Sequence, residues 1–470
     1  MKKALLFLLI PILFVSCRNE DDENDYIRPE QEYQILSIVD DGSIYLTYSY
    51  PTIDEKGNSI RLSSALMAYN PVQRDSSAVI KTVIIGCHIT ITSDAECPSR
   101  LKTSSSVNDV MLMNTIPQSA KIPELKQSVI IMPDYQGYGV SRQHIHPYLS
   151  QELTARQVID AVQYGLMIYE NLELSLPFDN DWKSICLGFS QGGAVALAAQ
   201  RYIERNSLDD KLHFAGSFCG DGPYDLIETM KYYMFDDGNS SGVQTTHTKG
   251  TLSIPVALPL IIKGVIDSHP QMKGHDISDY FSKQFLDTGI MDWLQDKLKS
   301  TDDIAKAWFD MTNNGFTAKD GTYYSPEQMK SLFTDYGCIQ TLTVKDYYIT
   351  ADLSQMLSPQ LFGYLNDSSN YDKEYGSFTG DKIQDLMAAL ESNSTVKGWE
   401  PGHRIILLHS RYDTVVPICN MLSFTASHPD AEIRTVCYGT KDHQKTGSNF
   451  YLALLGTTFS DELAWLFAEK

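Results

Sequence analysis

The chain has 470 residues, of which 43% are hydrophobic, and its 59 acidic and 38 basic residues give a formal charge of −21. This composition predicts a globular protein with a large core and excludes intrinsic disorder. It also excludes nucleic acid as a partner, because binding to a polyanion depends on clustered Lys and Arg, and the sequence contains no such cluster.

The first predicted element is a secretory signal at residues 1–16. Two lysines precede an apolar run from Ala4 to Val15, which is too short to span a bilayer. Its end, Val15-Ser16-Cys17, resembles the signal of bacterial lipoproteins, whose cleavage leaves the cysteine as the lipidated first residue. The resemblance implies an outer-membrane lipoprotein, periplasmic or surface-exposed, that contacts the membrane only through lipid on Cys17. A plain signal peptide or an uncleaved anchor is the alternative.

An acidic segment with few apolar residues follows, RNEDDENDY at residues 18–26. Such a segment cannot bury enough apolar surface to fold, so residues 17–32 are predicted to be a solvated tether. An acidic run close behind the cysteine also resembles the surface-export tag of some Gram-negative lipoproteins. A plain linker is the alternative.

Strands and helices alternate through the next part of the chain. Alternating apolar and polar residues predict an antiparallel start at residues 33–39 and 43–71. Continuous apolar runs at 78–91 and 128–139 predict buried strands of a parallel sheet, and a helix is predicted over 154–172. This alternation predicts an α/β fold, a mostly parallel sheet with helices on both faces.

The span SICLGFSQGGAVALAAQRYIER, residues 184–205, places Ser190 where an apolar strand turns sharply into a helix. Such a turn cramps the backbone, so the flanking positions must lack side chains, and Gly188 and Gly192 meet this need. The turn lifts the serine hydroxyl clear of the sheet at a helix N-terminus, where free N–H groups stabilise negative charge. The pattern resembles the nucleophile elbow of α/β-hydrolases. A glycine-rich turn without chemistry is the alternative.

A serine nucleophile needs a histidine base and an acid that orients the base. Both are expected after the serine, at the ends of later strands. The segment RIILLHSRYDTVVP predicts a buried strand that leads to Asp413, and IRTVCYGTKDHQKTG predicts another that leads to His443. We therefore predict that Ser190, Asp413 and His443 are the catalytic residues. The alternatives for the acid are Asp221 and Asp225, which follow the strand after the serine.

The other histidines are predicted to have structural roles. Those before the serine have the wrong order in the chain for a base, and His409 is expected to be packed at the end of its strand. Two close pairs of histidines lack carboxylates or thiols at the spacing of a metal site, so no metal is predicted. No cofactor is predicted either, because Gly137-Tyr138-Gly139 is followed by Arg142 where a dinucleotide loop has its third glycine. The histidines before the serine are His88, His144 and His146, and the close pairs are His144/His146 and His269/His275.

Eight cysteines occur in the chain, so seven remain beside Cys17, and at least one must stay free or pair outside the chain. Those in apolar, strand-like runs are expected to be packed as small hydrophobic residues. These are Cys87, Cys186 and Cys437. Cys87 and Cys97 are the pair close enough in sequence to suggest a disulfide.

Several further motifs carry a resemblance to a known family. These are Pro133-Asp134-Tyr135-Gln136-Gly137-Tyr138-Gly139, then His146-Pro147-Tyr148-Leu149, then VIDAVQYG, then GFSQGG. Together they look like the secretory lipase family of α/β-hydrolases, over roughly residues 60–226 and 400–467. The resemblance implies an α/β-hydrolase fold and a triad of Ser190, Asp413 and His443.

The oxyanion hole is expected to combine the backbone N–H of Gln191 with that of Thr90 or Ile89. The sequence departs from the family here, because Cys87-His88-Ile89-Thr90 stands where a His-Gly pair is usual after the third strand. Isoleucine lacks the backbone freedom of glycine, so the sequence leaves the second oxyanion donor open.

A long insertion separates the serine unit from the strand that leads to Asp413. The core is predicted at 33–226 and 401–470, and residues 227–400 are predicted to form a mainly helical cap over the site, with a separate module packed elsewhere as the alternative. Four segments have helical spacing, and no strong strand pattern occurs among them: 254–270, 278–300, 301–312 and 380–393. The apolar run from Ile254 to Ile266 is predicted to form a wall of an acyl pocket, or else to pack on the cap's own core.

These features predict a serine hydrolase that cleaves carboxylic esters through a Ser-Asp-His triad and an acyl-enzyme. The expected substrate is a small-molecule, lipid or carbohydrate ester. Two alternatives stay open at this point: a serine peptidase on the same fold, and a catalytically inactive surface lipoprotein that only binds its ligand.

Overall fold

The structure is a computed structural model, and it describes residues 33–40, 43–70, 78–103, 112–113, 115–340, 345–439 and 442–468. The predicted signal at 1–16, the lipidation site Cys17 and the tether at 17–32 lie outside the described residues.

The secondary structure of the described residues begins with strands and continues with alternating strands and helices. The strands are β1 (Gln34–Asp40), β2 (Ser43–Ile53), β3 (Ser59–Tyr69), β4 (Ile80–Cys87), β5 (Ser128–Pro133), β6 (Phe178–Phe189), β7 (Phe214–Gly220), β8 (Thr251–Ser253), β9 (Phe316–Thr317), β10 (Tyr323–Tyr324), β11 (Phe333–Gln340), β12 (Lys345–Asp352), β13 (Arg404–His409) and β14 (Ile433–Cys437). The helices are α1 (Ile116–Ser119), α2 (Pro123–Lys126), α3 (Gln151–Glu170), α4 (Gln191–Arg205), α5 (Leu226–Phe235), α6 (Ala257–Ser268), α7 (Lys283–Asp287), α8 (Ile290–Asp296), α9 (Thr301–Asn314), α10 (Pro326–Leu332), α11 (Leu353–Met356), α12 (Pro359–Leu365), α13 (Lys382–Ser392), α14 (Cys419–Ser427), α15 (His443–Leu455) and α16 (Ser460–Phe467). None of these described helices combines the length and the apolar character needed to cross a membrane.

A nine-stranded sheet in the order β1-β2-β3-β5-β4-β6-β7-β13-β14 forms the centre of the domain. The first three strands pair antiparallel, and β3 is also antiparallel to β5. From β5 to β14 every pairing is parallel, and Leu187 of β6 lies opposite Phe218 of β7, which lies opposite Ile406 of β13. The carboxyl ends of the parallel strands therefore meet at one edge of the sheet, where loops can combine residues from distant parts of the chain.

Helices cover both faces of this sheet, which explains why its parallel strands are almost continuously apolar. On one face, Leu187, Phe218 and Ile406 belong to a buried cluster that also contains Phe450 of α15 and Leu466 of α16. On the other face, α4 packs on β6 and β7, and α3 packs on β2 and β5. Successive strand residues point to opposite faces, so the apolar runs supply both layers of the core.

The insertion between β7 and β13 is mainly helical and contains α5 to α13. It also contains a three-stranded antiparallel sheet in the order β11-β12-β8 and a small pair of β9 and β10. These five strands lie outside the four segments with helical spacing, and the sequence analysis did not identify them. Most residues of β11 are exposed or half-exposed, so its apolar residues do not alternate with polar ones and carry little strand signal.

Every cysteine among the described residues is free, so the suggested disulfide between Cys87 and Cys97 is wrong. Both thiols are buried, and the Cys97 side chain belongs to the apolar cluster on one face of the sheet. Cys186 is buried in β6, as expected. Cys437 is exposed, contrary to the expectation, because β14 is the edge strand and only one neighbour covers it.

Candidate active site

Ser190 lies at the turn between β6 and α4, with φ 58° and ψ −126°, a backbone conformation that residues other than glycine rarely adopt. The turn is tight: a Cβ on Gly188 would lie 2.2 Å from the carbonyl oxygen of Gly192, and a Cβ on Gly192 would lie 2.0 Å from that of Cys87. The Ser190 N–H donates to the carbonyl of Gly220 at 2.8 Å, which ties the turn to β7. The predicted strand-to-helix turn is therefore present, and the serine is half-exposed at the N-terminus of α4.

His443 is the first residue of α15, and its ring lies beside the serine. Its Nε2 atom is 2.8 Å from Ser190 Oγ, and the Phe189 ring packs against it with 5.1 Å between the ring centroids. Its Nδ1 atom faces a carboxylate, which accepts hydrogen bonds only, so Nδ1 carries the proton. Nε2 is then free to accept the proton of the serine hydroxyl.

Asp413 follows β13 and is the carboxylate that His443 contacts. Its Oδ2 atom accepts the hydrogen bond from His443 Nδ1 at 2.5 Å, and its Oδ1 atom accepts from the N–H groups of Val415 and Val416, each at 2.8 Å. Burial alone would raise the pKa of this carboxyl, but the adjacent His443 ring outweighs burial and lowers the pKa. The structure thus brings the three predicted residues together as a hydrogen-bonded chain from serine to histidine to aspartate.

The two alternative acids have different surroundings. Asp225 caps α5, because its carboxylate accepts hydrogen bonds from Glu228 N at 3.0 Å and from the Ser423 hydroxyl at 2.5 Å. Asp221 follows β7 and lies near the site: one ligand atom each from Asp221, Asp413 and His443 fall within 4.8 Å of one another. In the described part of the chain this is the one group of three that could hold a metal ion, but Asp413 and His443 already bind each other.

The segment after β4 was predicted to supply one of the oxyanion donors, and it contributes to the cavity at Ser190. Gln191 directly follows the serine, and its N–H belongs to the first turn of α4. Ile89 and Thr90 line the same cavity as Ser190, and neither adopts a positive φ, so isoleucine replaces the usual glycine without backbone strain. The Thr90 hydroxyl is 2.7 Å from the Tyr148 hydroxyl, which sequence reasoning did not place at the site.

A cavity of about 740 Å³ opens at Ser190, and its walls come from both the core and the insertion. One wall is apolar, and its insertion side includes Leu226, Met230, Leu252, Ile254, Ala257 and Ile261. The run from Ile254 to Ile266 was predicted to be a wall, and its first half does line the cavity. Its second half includes Ile262 and Val265, which are buried against the protein.

The cavity is also lined by carboxyl groups from three distant segments of the chain: Glu96, Asp302 and Asp346. Burial, together with the negative charges of Asp302 and Asp303, raises the pKa of Glu96 to about 7. Lys445 is the basic residue among the described residues that line the cavity. The sequence did not indicate these acids, because each lies in a separate segment without a recognisable motif. Only the tertiary fold brings them to the same cavity.

The remaining histidines are engaged elsewhere in the fold. His88 stacks on Tyr135, with 3.9 Å between ring centroids, and His146 Nδ1 lies 2.8 Å from the carbonyl of Gln136. His409 is fully buried, and its Nε2 donates to the Val416 carbonyl at 2.7 Å, in line with a packed role. His269 and His275 do not share a ligand site. The ring nitrogens of His269 contact Val265 and Ser392, whereas those of His275 contact the Tyr280 hydroxyl and the Asp385 carboxylate.

The structure is similar to several solved hydrolases. The rice cell wall degrading esterase LipA from Xanthomonas oryzae matches with a TM-score of 0.61 and 17% identity, over 92% of this chain and 97% of that one. A putative hydrolase from Legionella pneumophila matches with a TM-score of 0.59 and 15% identity, over 93% of this chain and 99% of that one. Lipase A from Candida antarctica in its closed state matches with a TM-score of 0.52 and 12% identity, over 93% of this chain and 83% of that one.

These similarities, at low identity, identify the fold. The chain has an α/β-hydrolase fold, a mostly parallel sheet with helices on both faces and an inserted, mainly helical cap. The predicted fold class is therefore confirmed. No protein-family model matches the chain, and no curated protein matches it in sequence.

Proposed function

We propose that this protein is a serine hydrolase that cleaves carboxylic esters. The observation that carries the proposal is the hydrogen-bonded chain of Ser190, His443 and Asp413 at the wall of a largely apolar cavity. The resemblance of the sequence to the secretory lipase family supports it, as does the similarity of the fold to proteins named esterase and lipase.

In the proposed reaction, His443 Nε2 takes the hydroxyl proton while Ser190 Oγ attacks the ester carbonyl. Asp413 holds the ring in the tautomer with Nδ1 protonated and stabilises the imidazolium that forms. The N–H of Gln191, with that of Thr90 or Ile89, stabilises the oxyanion. His443 then returns the proton to the leaving alcohol, and a water molecule repeats the sequence to release the acid from Ser190.

The cavity favours an apolar acyl group. Each buried methylene contributes about 0.8 kcal/mol, so a wall of aliphatic side chains selects longer acyl chains over acetate. The carboxyl groups that line the same cavity disfavour an alcohol part with a negative charge, because like charges repel. We propose a neutral ester, of a lipid, a carbohydrate or another small molecule, as the substrate.

Reaction with a fluorophosphonate probe tests for an activated serine, and a panel of p-nitrophenyl esters beside peptide p-nitroanilides tests the class of substrate. We expect probe labelling and ester cleavage, both lost in Ser190→Ala. Cleavage of the anilides at comparable efficiency would make the protein a serine peptidase. A folded protein that neither reacts with the probe nor cleaves any ester would instead be an inactive binding protein.

The cap is expected to set the preference for acyl chain length. Ala257→Trp places an indole in the apolar wall and should block about three methylenes, at a cost of about 2.4 kcal/mol, or about 60-fold in kcat/KM. We expect this loss for octanoate and longer esters, with acetate nearly unchanged. The measurement is kcat/KM for p-nitrophenyl esters of increasing chain length.

Ile266→Trp is the matched control, because Ile266 lies on the same helix but outside the cavity wall. Gly264 is unsuitable for substitution by Trp, because a Cβ there would lie 2.4 Å from the carbonyl oxygen of Tyr148 and would disturb the fold. Equal losses for every chain length in a folded Ala257→Trp protein would show that this wall does not hold the acyl group.

We also propose that Cys17 is lipidated and anchors the protein in the bacterial cell envelope. Cys17→Ser should then give a soluble protein with wild-type ester hydrolysis, because every residue proposed to act at the site belongs to the described part of the chain. Fractionation of cells, with activity measured in each fraction, tests this. Recovery of the variant only with membranes would contradict lipid anchoring.

A further inference from the structure

A second carboxyl group lies beside the proposed triad, and the proposed mechanism does not use it. Asp221 is fully buried at the carboxyl end of β7, next to β13, which leads to Asp413. Its N–H donates to the Leu408 carbonyl at 2.9 Å, and its Oδ1 atom accepts from the Ser410 N–H at 2.9 Å. These contacts hold the carboxyl group so that one of its oxygens lies within 4.8 Å of a ligand atom of Asp413 and of His443.

The hydrogen bonds differ sharply between the two carboxyl groups. Asp413 accepts three hydrogen bonds, from Val415 N, Val416 N and His443 Nδ1, so its negative charge is well compensated. Asp221 accepts one, from a backbone N–H, and its Oδ2 atom is buried without a donor among the described residues. Two ionised carboxylates cannot share so small a buried site, so one of the two carries a proton.

The groups that face Asp221 offer no positive charge to compensate an ionised carboxylate. His409 Nδ1 lies 3.9 Å from Asp221 Oδ1, but the other ring nitrogen donates to the Val416 carbonyl and burial lowers the pKa of this histidine. His409 is therefore neutral. Tyr224, also near, is buried and neutral, because burial raises its pKa. The one imidazolium that forms in the reaction, on His443, is bound to Asp413.

We propose that Asp221 is a positioning residue: a neutral carboxylic acid whose Oδ2 proton is donated to the carboxylate of Asp413. This inference rests on the proposed function, since it gives Asp413 its role. Burial, followed by the charge of Asp413, raises the pKa of the Asp221 carboxyl well above its ordinary value, in agreement with the geometry. Asp221 thereby adds a fourth hydrogen bond that holds Asp413 against His443, without adding a second negative charge.

The protonation state can be measured independently of activity. The infrared difference spectrum of wild type minus Asp221→Asn at neutral pH should show the C=O band of one protonated carboxylic acid. Loss of a carboxylate band in its place would mean that Asp221 is ionised, and it would overturn the proposal. This measurement holds even if the protein proves to have no ester hydrolase activity.

The kinetic test compares two substitutions that differ in hydrogen bonding. The amide of Asp221→Asn can still donate to Asp413, so we expect kcat within a few-fold of wild type. Asp221→Ala removes the donor and should lower kcat by about 10- to 100-fold with KM unchanged. Full kcat in Asp221→Ala, or a loss in Asp221→Asn as severe as in Asp413→Asn, would overturn the proposal.

The pH profile adds a readout that simple destabilisation would not change. As pH rises, Asp221 loses its proton, can no longer donate and repels Asp413, so wild-type kcat should fall in the alkaline range. Asp221→Asn has no such proton to lose, and its alkaline fall should be absent. An identical alkaline fall in both proteins would contradict the proposal.

Asp160→Asn is the matched control for loss of a buried carboxyl group elsewhere. Its Oδ2 atom accepts a hydrogen bond from Thr52, and burial raises its pKa to about 6, but it lies on α3 outside the site. We expect its kcat and its alkaline pH profile to match wild type. If wild type itself neither reacts with the fluorophosphonate probe nor cleaves esters, the proposed function fails, and the infrared result still decides the state of Asp221.

Discussion

Substitution of Ser190 by alanine should lower ester hydrolysis by a factor on the order of 10⁶ while the fold stays intact. The hydroxyl oxygen forms the acyl-enzyme, and nothing else at the turn can replace it as a nucleophile bonded to His443 Nε2. Alanine removes only the hydroxyl, so the strained turn between β6 and α4 is kept. The measurement is kcat for a p-nitrophenyl ester, together with the melting temperature.

His443→Ala should lower kcat by about as much as Ser190→Ala does, and the double variant should lower it little more than either single variant. This lack of additivity distinguishes a triad that acts as a unit from two residues that merely support binding. Ser190→Ala with substantial activity would place the nucleophile elsewhere and remove the basis of the proposed mechanism. Ser448, which lines the same cavity, serves as a control: Ser448→Ala should retain activity.

Asp413→Asn should lower kcat by about 10⁴-fold with little change in KM. The amide would present an N–H toward His443 Nδ1 or hold the ring in the wrong tautomer, so Nε2 could no longer take the serine proton. The cost should be smaller than for Ser190→Ala, because the nucleophile and the oxyanion donors remain. Comparison of kcat for Asp413→Asn with that of wild type at one pH provides the test.

Asp225→Asn is the control for that experiment, since Asp225 was an alternative acid but its carboxylate caps α5. It should affect stability by about 1 kcal/mol or less and leave kcat nearly unchanged. If Asp413→Asn left kcat nearly unchanged while Asp221→Asn lowered it strongly, Asp221 would be the acid that orients His443. That result would also refute the neutral state proposed for Asp221.

Local sequence determined the turn at Ser190. The apolar run of β6, the glycines at 188 and 192 and the apolar residues of α4 are all within about twenty positions, and close backbone approach at those glycines requires them. The chain order of the strands that lead to Asp413 and His443 was also readable, because a buried parallel strand is a continuous apolar run. The fold class followed from the same alternation of strands and helices.

Only the tertiary structure decided which polar groups meet at the site and how they share protons. Asp221 and Asp413 are 192 positions apart in the chain, and their pairing depends on β7 and β13 being neighbours in the sheet. The contact between Thr90 and Tyr148, the exposure of Cys437 and the strands of the insertion have the same origin. Each depends on which elements become neighbours in the fold. Cys437, for example, is exposed because no further strand covers the edge of the sheet. Sequence patterns report the local backbone and its average burial, whereas hydrogen bonds and protonation states depend on atoms that only folding brings into contact.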